Sequence, residues 1–206
     1  MARDRASIVK QSRREGYALH PKAHKALVKR TTMPGQTLGG RPPRNKASQY
    51  SLQLREKQKV KRLYGLLERQ FRKLIEEASK SRGQSGAVLL QQLERRLDNV
   101  VYRSGFAVSR RAARQLVSHG HFTMNERRVN IPSLTVNPGD VIVAREHAKN
   151  TEYFKQLETV SPTPSSVPAW MKVDRKKLSI SITGLPTRED AEPDIKEQLI
   201  IEYYSR

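Results

Sequence analysis

The stretch SRRAARQLVSHG (109–120) decides how this chain is read. Ser109 suits a helix N-cap, where its hydroxyl can accept from an amide N–H inside the first turn, and Gly120 suits the left-handed residue just past a helix C-terminus. At about 100° per residue, Arg110, Arg111, Arg114, Gln115 and Ser118 share one face. Ala112, Ala113, Leu116 and Val117 share the other. Guanidinium groups spread over a turn and a half can engage neighbouring phosphates through paired hydrogen bonds. A merely solvated face usually mixes in Glu or Asp, and this one has neither. The pattern predicts a short helix with one side on a core and the other toward a polyanion.

Downstream, HFTMNERRVNI (121–131) reads as a hairpin. Phe122 and Met124 alternate, Asn125-Glu126 turn the chain, and Val129 and Ile131 alternate back. Glu126 stands where Gly is preferred, which leaves the turn type open. His119 and His121 flank Gly120, but two imidazoles without a third ligand are weak support for a metal site. Contacts to backbone or RNA at this junction are expected instead. Pro138-Gly139 then leads into a strand, VIVAR (141–145). A Pro/Ser-rich connector, SPTPSSVP (161–168), precedes LSISIT (178–183), where Leu178, Ile180 and Ile182 alternate with polar residues as in a half-buried strand.

Upstream, Leu90, Leu93, Leu97 and Val100 fall at 3-4-3 spacing, predicting one helix with a core stripe that ends near Ser104-Gly105. Arg96 and Asp98 on it read as a local charge pair. SRGQSG (81–86) is a loop. Before it, Ser48 can cap a helix running through LQLREKQKVKRLYG (52–65), ended or bent at Gly65, and the next helix carries Leu67, Phe71, Leu74 and Ala78 on one stripe. Arg55, Lys57, Lys59, Lys61 and Arg62 surround the first of these helices, so some must face solvent or the core rim. The closing TREDAEPDIKEQLIIEYYSR (187–206) places Ile195, Leu199 and Tyr203 on one helical stripe, with the helices of 48–80 as its expected host.

The charge follows this division. The chain has 206 residues, 40 Lys+Arg, 20 Asp+Glu and a formal charge of +20. Successive fifties carry +10, +6 and +5, and residues 151–206 carry −1. A charge this large repels itself unless a polyanion neutralises it. In residues 1–47 only Asp4 and Glu15 oppose the positive side chains, and MPGQTLGGRPPRNK (33–46) is rich in Gly and Pro. That composition predicts an arm ordered mainly by its partner. Arg13, Arg14, Arg41, Arg44 and Lys46 are its candidate phosphate contacts. With no cysteine there is no disulfide, thiolate nucleophile or Cys-based metal site. The opening MARDRASIVKQSRREG has no apolar core of signal-peptide length, and no long apolar run follows. A soluble intracellular nucleic-acid binder with no cofactor is the expected class.

LERRLDNVVYRSGFAVSRRAARQLVSHGHF (93–122), with PGQ (34–36), LQLREKQKVKRLYG (52–65), ERQFRK (68–73), VNIPS (129–133), PGDVI (138–142) and EQLIIEYYSR (197–206), resembles the S-four family of bacterial small-subunit ribosomal proteins. The matching stretches span most of the chain in order. The resemblance implies an α+β fold: a helical domain of 43–92 plus 186–206, an inserted S-four-type RNA-binding module of 93–185, and an extended basic N-terminal arm of 1–42. In the module, two helices would lie on a small, mainly antiparallel sheet. It also implies a structural protein of the 30S subunit, cytoplasmic and in the ribosome, binding the 5′ domain of 16S rRNA early in assembly. Small-subunit protein five and the channel by which mRNA enters are its implied neighbours, with effects on translational accuracy and no membrane. Some members repress their own messenger. Many relatives carry metal-binding cysteines in the arm, so this chain resembles the cysteine-free branch. It also departs in reading Arg3-Asp4-Arg5-Ala6-Ser7 at the start, Thr37-Leu38-Gly39-Gly40 after PGQ, and Asn125-Glu126 at the hairpin turn.

Residues and resemblance together nominate Arg13, Arg14, Arg41, Arg44, Lys46, Arg55, Lys59, Arg62, Arg69, Arg72 and Arg103 as RNA contacts, with Ser109, Arg110, Arg111, Arg114, Gln115, His119, His121, Asn125 and Arg128 in the module. No catalytic residue is expected. About 8 phosphate contacts would give a log–log salt slope of roughly −6 to −7. The alternatives are an RNA-modifying enzyme or a free regulator, binding RNA or DNA, that carries the same module. The first needs a separate catalytic domain with a positioned Asp, for which only about 50 residues remain.

Overall fold

A computed structural model describes residues 4, 6–30, 32–35, 48–162 and 167–205. Arg41, Arg44 and Lys46 lie outside the described residues. Within the described residues, the chain forms α1 (Ile8–Glu15), α2 (Ala23–Lys29), α3 (Gln49–Leu63), α4 (Glu68–Lys80), α5 (Ser85–Glu94), α6 (Leu97–Arg103) and α7 (Arg110–Ser118). There follow β1 (Phe122–Met124), β2 (Arg127–Val129), β3 (Val141–Ala144), α8 (Glu146–Lys149), α9 (Glu152–Lys155), α10 (Leu157–Val160), β4 (Met171–Asp174), β5 (Ser179–Ile182) and α11 (Glu197–Tyr204). The chain divides into two compact units, residues 1–88 with 194–206, and residues 89–193. It is a mixed α+β protein.

In the first unit Ser48 caps α3, its hydroxyl accepting from the Ser51 amide at 3.2 Å. Gly65 follows the helix at φ 66°, a left-handed position that any side chain would strain. Val60, Leu63, Phe71, Ile75, Ala78, Ile195 and Ile200 are buried. The aliphatic phases differ from expectation by one residue in two helices. Ile75 rather than Leu74 is buried in α4, and Ile200 rather than Leu199 in α11. The closing helix docks on α3, one of the helices of 48–80 expected as its host. Gln53 donates to Glu202 at 2.8 Å, Lys59 to the Asp194 carbonyl at 2.8 Å, and the Lys196 amide to Glu56 at 2.9 Å.

Lys57 is buried under this helix. Its ammonium lies 4.8 Å from the Tyr203 ring centre and 2.8 Å from Glu68. Tyr204 donates to the same carboxylate at 2.6 Å. Burial alone would raise the Glu68 carboxyl, but the hydrogen bonds from Lys57, Lys61 and Tyr204 outweigh it and hold it at about 2. Burial, then the bond to Glu68, pushes the Tyr204 hydroxyl up.

Among its described residues the basic arm contains two helices, α1 and α2, that its composition did not announce. Glu15 closes α1 with its side chain wholly buried, paired with Arg62 and, at 3.3 Å, with Arg55, both on α3. Burial pushes the Glu15 carboxyl up, and Arg55, Arg62 and Arg14 offset part of that rise. One carboxylate among many cations thus anchors this part of the arm to the helical unit.

The second unit is built on a five-stranded antiparallel sheet of order β2-β1-β3-β5-β4. Leu97, Val100, Val101, Ala113 and Val117 from α6 and α7 share a core with Phe122, Ile142, Ile180 and Ile182. The single helix expected over 90–104 is two. Arg96 is extended at φ −68° and ψ 137°, and it bridges to Thr135. All four stripe residues are nonetheless fully buried, because the break keeps both segments on the core. Arg96 and Asp98 form the expected local pair at 2.8 and 3.1 Å, across the break. Asn125 and Glu126 both have positive φ, 48° and 66°, and link Met124 to Arg127 as a two-residue primed turn. Ile131 falls beyond the strand and is exposed. Strand β4 was not anticipated, and neither were the one-turn helices α8 to α10.

Candidate nucleic-acid interface

In the second unit two arginines, Arg128 and Arg145, meet at the end of α7. Ser109 is buried and its hydroxyl accepts from the Ala112 amide at 3.2 Å. It therefore sets the helix start and does not reach a ligand. Gly120 then turns the chain at φ 71°, and a Cβ there would lie 2.9 Å from the Arg128 Nε. Glycine lets the β2 guanidinium lie across the helix end. The β1–β3 register sets Phe122 opposite Ala144, so the next residue, Arg145, arrives beside His121. Its amide donates to the His121 carbonyl at 2.9 Å and its Nη1 to the Gly120 carbonyl at 3.3 Å. One turn of α8 adds His147.

His119, His121, Arg128, Arg145 and His147 thus surround a pocket of about 440 Å³ floored by Gly120 and Ala148. Among the described residues, none that lines it is a carboxylate. Burial first, then the charges of His119, His147 and Arg145, pushes His121 below the usual imidazole value. Arg145 and His147 were missed in the sequence. The signal available was the position of Arg145 directly after VIVA, once that strand is paired with FTM.

The arginine face of α7 is less uniform than its own sequence suggests, because carboxylates reach it from elsewhere. Arg110 donates to Asn99 at 2.9 Å and Glu192 at 3.0 Å and lies over the Tyr102 ring. Arg114 lies 3.9 Å from Asp98. Arg111, Gln115 and His119 are exposed. Arg103 makes a two-pronged bond to the buried Glu94, at 3.0 and 3.1 Å. Asn125 holds the hairpin turn through Asp140 and the Val141 amide.

Among the nominated residues of the first unit, Arg14 and Arg69 are exposed. Arg13 donates to the Thr32 carbonyl at 2.8 and 3.1 Å. Arg55 and Arg62 are held by Glu15, Lys59 by Glu56 and the Asp194 carbonyl, and Arg72 by Glu76 at 3.0 Å. Among the described residues no group of three or more His, Asp or Glu is arranged to hold a metal ion, and no helix is long and apolar enough to cross a membrane.

Two family models cover most of the chain. Residues 3–94 match the ribosomal protein S4/S9 N-terminal domain, and residues 95–142 match the S4 domain. The chain is 49% identical over its whole length to the small ribosomal subunit protein uS4 of Chlorobium limicola, and the match also covers all of that protein. The chain belongs to the ribosomal protein S4 family. The uS4 protein of a Roseiflexus species is likewise 49% identical with full coverage of both chains, and uS4A of Symbiobacterium thermophilum is 47% identical, again with full coverage. The S4-domain match covers residues 95–142. It takes in α7 and the hairpin but stops before Arg145 and His147.

Proposed function

We propose that this chain is a non-catalytic structural constituent of the small ribosomal subunit that binds the 5′ domain of 16S rRNA. The carrying observation is the carboxylate-free cationic pocket at the end of α7, in a chain of the S4 family. The helix, the hairpin and the β3–α8 corner hold its groups on rigid backbone, so they meet a folded RNA junction preorganised. Affinity comes from phosphate neutralisation and counterion release, and selectivity from RNA shape, since an A-form duplex exposes little readable base edge in its deep groove. Arg111, Gln115, His119, Arg128 and Arg145 carry the contacts in the second unit. Arg14 and Arg69 add contacts in the first. Early binding of the 5′ domain would let the chain nucleate 30S assembly in the cytoplasm. Contact with small-subunit protein five and with mRNA at its channel, and an influence on accuracy, complete the reading.

Arg111→Glu with Arg128→Glu tests it. Filter binding to a 5′-domain transcript should weaken at least tenfold while the melting temperature stays within a few degrees, since both side chains are exposed. Unchanged binding would remove this face from the interface. Catalytic modification of the transcript by the chain would favour the enzyme reading.

A further inference from the structure

We infer that the pocket around Gly120 seats a single nucleotide turned out of its strand, with the phosphate on Arg128 and Arg145 and the base against the exposed imidazoles of His119 and His147. The inference rests on the RNA-binding reading and goes further, because it names an unpaired nucleotide rather than duplex backbone as the ligand.

Three observations carry it. The first is charge. Two guanidiniums and three imidazoles line the pocket with no carboxylate among them. The Arg145 guanidinium donates to the Gly120 carbonyl at 3.3 Å, and among the described residues no carboxylate pairs with Arg145 or Arg128. An anion is the group such a lining lacks.

The second is size. The cavity holds about 440 Å³. A phosphate group has the bulk of two or three waters at roughly 30 Å³ each, so it would leave most of that space unfilled. A phosphate with its sugar and base is the smallest RNA unit that uses it. A duplex presents its phosphates on a convex surface and cannot insert one nucleotide here without unstacking it.

The third is the chemistry of the walls. Imidazole rings are among the platforms on which unpaired RNA bases stack. The ring centres of His119 and His121 lie 6.0 Å apart, and His121 is braced edge-on against Phe154 at 6.1 Å. That wall is held from behind by the core. Gly120 lets the Arg128 guanidinium lie flat on the floor, since any Cβ would meet it. An acidic protein side chain would satisfy the charge but leave the volume and the rings unused.

The test uses the full chain and two probes. In chemical probing of the 16S 5′-domain transcript, one unpaired nucleotide should be shielded by the wild-type protein. That shielding should be lost with Arg128→Gln plus His147→Leu, affinity should fall about tenfold, and the remaining footprint should persist. Loss of protection spread along duplex backbone would overturn the inference.

In the second arm, a six-residue oligoadenylate and inorganic phosphate are titrated separately while imidazole NMR signals are followed. Three of the five histidines line the pocket, and His20 and His24 serve as internal controls. Oligoadenylate should shift the pocket three at a concentration at least tenfold below that needed with phosphate. Equal potency of the two probes, or a stronger response to an oligoglutamate peptide, would overturn the nucleotide assignment. If the oligonucleotide shifts these signals but the transcript is not bound, the pocket assignment stands and the 16S reading fails.

Discussion

Replacing Arg103 by Gln distinguishes structural arginines from RNA-binding ones. Sequence and resemblance nominate Arg103 as an RNA contact, yet both prongs of its guanidinium bond to Glu94, whose side chain has no exposed surface. Glu94 also accepts from Asn99 at 2.7 Å, and Arg103 has Glu192 at 3.6 Å as a second, weaker partner. Removing the arginine takes the two-pronged charged donor away from a buried carboxylate that still accepts from Asn99. Breaking a buried pair this way costs about 3 to 5 kcal/mol. The remaining Asn99 bond argues for the lower end, about 3 kcal/mol. With a urea dependence of about 2 kcal/mol per molar, the midpoint of the second unit should fall by about 1.5 M. Glu94→Gln together with Arg103→Gln removes both charges and should recover about 2 kcal/mol of the loss, as a double-mutant cycle would report. Urea titration followed by near-UV circular dichroism measures it. A variant with an unchanged midpoint and tenfold weaker RNA binding would refute the reasoning, because Arg103 would then serve the ligand and not the fold.

Other substitutions probe local devices. Ser109→Ala removes the cap of α7 and should cost about 1 kcal/mol in the same titration; no loss would mean that the capping bond contributes nothing in solution. Glu126→Gly relieves a left-handed side-chain position and should stabilise the hairpin by about 1 kcal/mol, read as slower amide exchange in β1 and β2. Glu68, held at about 2 against an ordinary 4.5, favours the folded state while ionised. Its contribution is therefore full above about pH 4.5 and declines as pH falls toward 2. Glu68→Gln should accordingly flatten the acid limb of the first unit's melting curve, and an equal acid loss in both proteins would contradict the assignment.

Local signals were legible in the sequence because they act within a turn or two. Ser48, Ser109, Gly65 and Gly120 mark helix ends by side-chain and backbone chemistry that needs no tertiary partner. The helix phases in α4 and α11 were not, because Leu74-Ile75 and Leu199-Ile200-Ile201 offer adjacent aliphatics and only docking selects among them. Strand β4 escaped because four residues with two apolar ones give almost no periodicity. Charge was legible as a total but not as a surface. Arg110 finds Glu192 82 positions away, and Arg55 and Arg62 find Glu15 40 and 47 positions back. Lys57 reads as one more cation on a basic helix, yet the C-terminal tyrosines bury it. The pocket was half legible: His119, His121 and Arg128 sit near Gly120 in the chain. Arg145 and His147 join them only through strand pairing.

The salt dependence of binding to the 16S 5′-domain transcript tests the central claim most directly. If the chain is a phosphate-neutralising rRNA binder with about 8 contacts, log affinity should fall against log salt with a slope of about −6, and duplex DNA of equal length should compete poorly. A slope near zero, or DNA that competes as well as the transcript, would contradict it.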